Sequence, residues 1–196
     1  MTVQMTEPAA DLPSDISDAA LMQRLAAGDT SALGPLHRRY ARMVTSFLLR
    51  IDPDRGLEQA EDLTQEVFVT LLDTADRYQD QQRLKSWLCG IAVRKARTAR
   101  RNRWTRMRLL TREGRRAPGM AAPTDSGADD RLAARRAIAA ALGELPPKQR
   151  EVIVLHAIEG LSGEEIAAAL GIKANAVWVR LHRARKRLRD RLGDLA

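Results

Sequence analysis

Most of the chemical potential of this sequence lies in its cations. Arg180, Arg183, Arg185, Lys186, Arg187, Arg189 and Arg191 follow one another closely, with Asp190 as the one acid among them. A second row runs through Arg94, Lys95, Arg97, Arg100, Arg101, Arg103, Arg106 and Arg108. Guanidinium groups pair with phosphate oxygens and with the guanine edge, so two dense arginine rows point to nucleic acid. Other chemistries have little to work with. His37, His156 and His182 lie far apart with no carboxylate at ligand spacing, and Cys89 is the only cysteine. An internal disulfide and a thiol-rich metal site are excluded. No cluster stands at catalytic spacing, so no catalytic residue, metal, cofactor or small-molecule substrate is expected. One acidic face contrasts with the basic rows. In AEDLTQEVFVTLLDTAD, Asp62, Gln65, Glu66 and Asp73 fall on one side of a helix, while Leu63, Val67 and Leu71 fall on another. That face needs only solvent, or it suits a basic partner protein.

The elements that must carry these residues can be read from their periods. Ser162 and Glu165 form a capping box, which starts a helix containing Ile166 and Leu170. Gly171 supplies the left-handed stop and Ile172 plugs the corner. A second helix then runs from about Ala174, with Val177, Leu181, Ala184 and Leu188 as its apolar stripe. Capped helix, tight turn and basic second helix together make a helix-turn-helix whose second helix enters a major groove. Lys173, Asn175, Trp178, Val179, Arg180, His182, Arg183 and Arg185 are the candidate contacts there. Trp178 and Val179 are suited to thymine methyls or sugar edges, although Trp178 packing on a neighbouring helix is the alternative.

The chain has 196 residues, 44% of them hydrophobic and 4% aromatic, with a net charge of +8. That composition favours helices, and its basicity a polyanionic partner. Residues 1–14 lack large apolar side chains and periodicity, and are expected to form a disordered tail. Helices are expected from Asp15 to Ala27, from about Asp29 to Ile51, from Leu57 to Asp76 and from Leu84 to Leu110. In the last of these Trp87 is expected in the core, and Trp104 either in a small core contact or as a stacking platform. Residues 112–128 have linker composition and can span on the order of 55 Å when stretched. Beyond them, helices are expected from Asp129 to Leu142 and from Pro146-Pro147 onward, with His156 as a packing residue. The expected architecture is therefore all-α, with two small helical domains over 15–111 and 129–196 joined by a flexible linker. No apolar run reaches membrane-spanning length, and Met1 to Asp11 lacks the pattern of a signal peptide. A cytoplasmic protein without membrane insertion is expected.

Several stretches are similar to one family. LPPKQREVIVLHAIEGLSGEEIAAALGIKANAVWVRLHRARKRL resembles the promoter-reading region 4 of bacterial RNA polymerase sigma factors of the extracytoplasmic-function group. AEDLTQEVFVTLL resembles their polymerase-binding segment in region 2, and LKSWLCGIAVRKARTARRNR the following segment that opens and reads the upstream element near the start site. The opening LMQRLAAGDTSALGPLHRRY matches the start of region 2. The resemblance implies a dissociable specificity subunit that binds core RNA polymerase, recognises and melts promoter DNA, and answers to an anti-sigma factor. It implies docking of Asp62, Gln65, Glu66 and Phe68 on the coiled-coil of the largest polymerase subunit. It also implies region 2 DNA contacts from Lys85, Arg94, Lys95, Arg97, Arg100 and Arg101, with Trp87 holding their helix on the core. The chain departs from the family pattern at Ile91-Ala92-Val93-Arg94, where Ile-Ala-Arg-Asn is usual, and at Asn175-Ala176-Val177-Trp178-Val179, where a Gly-Thr-Val-Lys-Ser type of start is usual. A shifted base preference is expected. The competing reading is a polymerase-independent helix-turn-helix regulator whose first domain senses or dimerises; the acidic helix followed by an arginine row argues against it.

Overall fold

The computed structural model describes residues 16–79, 83–112 and 130–193, and all regular structure among them is helical. The expected tail and the expected linker after Arg112 lie outside the described residues.

Helix α1 (Asp18–Ala26) starts at Ser17, whose hydroxyl accepts from the Ala20 amide at 3.2 Å. It stops at Gly28, which takes a φ of +90°. Asp29 then caps a 3-10 turn, Thr30–Ala32, that leads directly into α2 (Leu33–Ile51). Asp18 ties the two helices together by accepting from Arg39 at 2.6 Å and from the Tyr40 hydroxyl. Helix α3 (Leu57–Asp73) packs along α2, with Thr45 and Thr64 hydroxyls 2.9 Å apart inside the contact. It ends three residues earlier than the sequence suggests. Thr74 leaves helical geometry at φ −123° while its hydroxyl bonds back to the Thr70 carbonyl at 2.6 Å, and a 3-10 turn follows over Ala75–Arg77. Helix α4 (Leu84–Arg112) closes the bundle through Leu84, Leu88, Ile91 and Ala92, which are buried with Leu36, Phe47, Leu48, Val67 and Leu71. Each of the Leu, Ile, Val and Phe side chains among them, taken fully out of water, contributes about 1.5–3 kcal/mol before entropy is counted.

The second half comprises α5 (Asp130–Glu144), α6 (Pro147–Ala157), α7 (Gly163–Leu170) and α8 (Ala174–Gly193). Pro147 opens α6 at its first position, where a missing amide hydrogen costs nothing. Val152, Leu155, Ile166, Val177, Leu181 and Ala184 make its core. Arg150, only 7% exposed, runs through that core and donates to the carbonyls of Leu142 at 2.6 Å, Leu145 at 2.9 Å and Gly143 at 2.5 Å. These are the orphan carbonyls at the end of α5, where a cation also meets the negative end of the helix dipole.

The halves do not stand apart. Arg150 also reaches the Ile51 carbonyl at the end of α2, at 3.3 Å, and α4 lies against α7. One cluster of buried apolar side chains is continuous across both halves.

Candidate nucleic-acid interface and docking face

The helix-turn-helix forms as its sequence requires. Ser162 accepts from the Glu165 amide at 3.2 Å, and Glu165 accepts from the Ser162 amide at 2.8 Å. The backbone and hydroxyl of Ser162 hold the Glu165 carboxyl below the usual glutamate range. Gly171 sits at φ +63°, and the Ile172 amide donates to the Ala167 carbonyl at 3.0 Å to close the turn. On α8 the stripe Val177, Leu181 and Ala184 is buried, with Leu188 partly so. Asn175, Trp178, Val179, His182, Arg183 and Arg185 therefore lie on the solvent side, next to exposed Lys173, while Arg180 is partly covered.

Trp178 makes the packing contact on a neighbouring helix weighed from the sequence and keeps the rest of its surface in solvent. Half of its surface is exposed, while the other half lies on the first residue of α7. A Cβ at Gly163 would come within 2.6 Å of the indole, and the His156 ring meets it edge-on with centroids 6.2 Å apart. His156 is in turn fixed by a 3.0 Å hydrogen bond from Nδ1 to the Leu161 carbonyl. An aromatic with one buttressed face and one free face is a preorganised contact surface.

The second basic row lies on α4. Trp87 packs edge-on to Tyr78, with centroids 5.7 Å apart, and anchors the start of this helix as expected. Of the candidate region 2 cations, Arg101 is exposed and Lys95 pairs with Glu66 at 3.3 Å. The others face the second half. Arg97 forms a bidentate pair with Glu151 at 3.1 and 2.6 Å, which raises its pKa, and Arg100 stands 3.8 Å from the same carboxylate. Lys85 bonds the Glu159 carbonyl at 2.5 Å and its carboxylate at 3.1 Å, and Arg94 reaches the Ala169 carbonyl at 3.5 Å. Arg103 does something else: it joins Arg55 on the buried Asp52, at 2.9 and 2.7 Å. Trp104 is 62% exposed, which rules out the small core contact considered for it.

On α3, Asp62, Gln65 and Glu66 share an exposed face flanked by exposed Leu57 and Val69. Beside it a groove of about 510 Å³ between α2 and α3 is lined by His37, Ala41, Thr45, Leu49 and Gln65. Phe68 departs from expectation: it is buried at 2% exposure, with its ring 4.7 Å from that of His37. It holds α3 on the bundle and cannot itself lie on a docking face. Glu151 and Glu159, the acids that meet the basic row, were not picked out from the sequence. The usable signal was Glu151 at helical spacing from Leu155, on an otherwise apolar stretch. Among the described residues, no His, Cys, Asp or Glu group is arranged to hold a metal, and no helix is long and apolar enough to cross a membrane.

Comparison with known proteins accounts for this order of surfaces. Residues 36–106 match the family Sigma-70 region 2, and residues 135–188 match Sigma-70, region 4. The chain is 38% identical to RNA polymerase sigma factor CarQ of Myxococcus xanthus, over 89% of this chain and 97% of that protein. It is 33% identical to ECF RNA polymerase sigma factor SigD of Mycobacterium tuberculosis, over 90% of this chain and 86% of that protein. Among solved structures, CnrH in complex with the cytosolic domain of CnrY is similar at a TM-score of 0.66 and 30% identity, covering 91% of this chain and 99% of that one. Both promoter-facing regions are thus present in family order and matched nearly end to end. The chain therefore belongs to the extracytoplasmic-function group of bacterial RNA polymerase sigma factors, which direct promoter-specific initiation of transcription.

Proposed function

We propose that this sigma factor docks on core RNA polymerase through the exposed face of α3, and that α4 and α8 contact the two promoter elements. The observation that carries this reading is the placement of Asp62, Gln65 and Glu66 on a solvent-facing acidic surface in a chain of net charge +8. A polyanion would be repelled by that face, whereas a basic protein surface complements it. On α4, Lys85, Arg94, Lys95, Arg97, Arg100 and Arg101 would hold phosphates and the displaced strand. On α8, Asn175, Trp178, Val179, His182 and Arg183 would face base edges, with Lys173, Arg180 and Arg185 toward the backbone. The chain acts in the cytoplasm as a specificity subunit without catalytic chemistry of its own. Its partners include an anti-sigma factor; the similarity to CnrH solved with CnrY supports that part of the reading.

Transcription in vitro with core polymerase and a promoter library tests this directly. The wild-type chain should give promoter-specific transcripts. Asp62→Lys with Glu66→Lys should weaken core binding at least ten-fold, about 1.4 kcal/mol, while circular dichroism stays unchanged. Unaltered affinity for core polymerase would remove the α3 assignment.

A further inference from the structure

Beyond Arg103, α4 carries a side chain that neither the bundle nor the helix-turn-helix uses. Trp104 is 62% exposed, and among the described residues no other ring packs against it. Residues three and four apart are neighbours on a helix surface. The indole therefore lies among Arg100, Arg101, Met107 and Arg108, of which Met107 is itself 40% exposed. From Arg94 to Arg112 the sequence holds no acidic residue. A lone exposed apolar side chain calls for no explanation. A ring framed by three guanidinium groups matches the pattern of strand-binding surfaces, where cations hold phosphates and aromatic faces hold bases.

The direction of the ring is fixed from inside the bundle. Asp52, 2% exposed at the end of α2, accepts from Arg103 at 2.9 and 3.1 Å and from Arg55 at 2.7 Å. Arg103 is thus held toward the bundle by a carboxylate almost closed to water. One residue along a helix is a rotation of about 100°, so Trp104 stands on the flank of α4. Arg101 and Arg108 fall on the side away from Asp52, next to the ring. They are seven residues apart, about 10 Å along the axis, which is about three steps of the ~3.4 Å rise of one nucleic-acid strand. A strand with phosphates at both guanidinium groups passes a base over Trp104, midway between them.

We infer that Trp104 is a base-stacking site: its indole receives the face of one base of the displaced strand, while Arg101 and Arg108 hold the phosphates on either side. The inference rests on the reading of α4 as a DNA surface and adds a contact that no cation of that row supplies. A base inside a duplex has both faces covered by its neighbours, so this contact belongs to opened DNA. Every base has a π face, so Trp104 adds affinity for the open strand and little sequence preference.

The test uses the full chain assembled with core polymerase and a fluorescent single-stranded oligonucleotide, the displaced strand of a promoter selected in the transcription assay. Trp104→Ala and Trp104→Leu should each weaken binding roughly ten-fold, whereas Trp104→Phe should recover most of it, since only Phe restores a π face. Their melting temperatures should equal that of wild type, because the ring already stands in solvent. The salt dependence of binding should keep its slope in Trp104→Ala, because no phosphate contact is lost. An abasic site moved along the oligonucleotide should weaken wild type at one position and leave Trp104→Ala unaffected there. Wild-type binding by Trp104→Leu, or equal losses for Ala and Phe, overturns the inference. So does a loss of affinity for core polymerase with unchanged oligonucleotide binding, which would make the ring a protein contact. Arg101→Gln separates the two layers. If it flattens the salt dependence while Trp104→Ala binds as wild type, the DNA reading of α4 stands and the stacking site falls. If neither variant alters binding or its salt dependence, the DNA reading itself fails.

Discussion

At the scale of single residues, Trp178 is where the proposed base contact and stability meet. Its indole is supported by Gly163 and His156 on one side and open on the other. Trp178→Ala should cost only about 1 kcal/mol of stability, because half the ring stays in water. It should reduce discrimination at the distal promoter element by about 1–3 kcal/mol at the base it covers. Gly163→Ala is the sharper variant. The added methyl must push the ring off its seat, so base preference measured across promoter variants should shift while helicity persists. A large fall in melting temperature with unaltered preference would assign Trp178 to packing alone. Glu165 gives a second prediction, from its sign. Its folded pKa lies below the ordinary 4.5 through bonds from the Ser162 backbone and then its hydroxyl. Its contribution is therefore complete above about pH 4.5 and is lost as pH falls through the lower folded value. Urea midpoints should show that Glu165→Gln, which still caps but cannot titrate, lacks this component of acid destabilisation; identical pH profiles would refute it.

At the scale of elements, Arg150 organises the end of α5 against the end of α2. Four carbonyls share its guanidinium in a nearly water-free position. Arg150→Met would leave them without donors and should cost about 3 kcal/mol or more in urea unfolding. Arg150→Lys should recover only part, since a point charge on a flexible stem lacks the planar fork. A loss under about 1 kcal/mol for the Met variant would mean that solvent or backbone shifts replace those bonds. Helix boundaries also belong to this scale. The capping box at Ser162, the proline start at Pro147 and the left-handed stop at Gly171 were legible because each is a short-range hydrogen-bond or steric requirement. The early end of α3 was not, because it depends on whether Thr74 bonds its own backbone or continues the helix, and sequence period favours neither.

At the scale of the whole molecule, charge is divided between surfaces with different uses. Arg101 is exposed on α4, whereas Arg100 is shared with Glu151. Replacing both with glutamine in the holoenzyme should flatten the plot of log promoter affinity against log salt by roughly 0.9 per lost phosphate contact. An unchanged slope would mean that neither contacts phosphate. The sequence by itself determined the helical class, the two halves, the buried stripes, the helix-turn-helix and the family. The helices, the stripes and the helix-turn-helix follow from periodicity and caps, which act within a few turns of chain; the halves follow from linker composition, and the family from the resemblance of several motifs in order. Only the tertiary structure decided that Phe68 faces inward, that Trp178 is seated on Gly163, and that Glu151 and Glu159 meet the cations of α4. Those outcomes depend on contacts between residues distant in sequence, such as Arg97 with Glu151 and Gly90 with Ala169. Such contacts are set by how closely two helices can approach and which charges they then desolvate, and no local pattern encodes either.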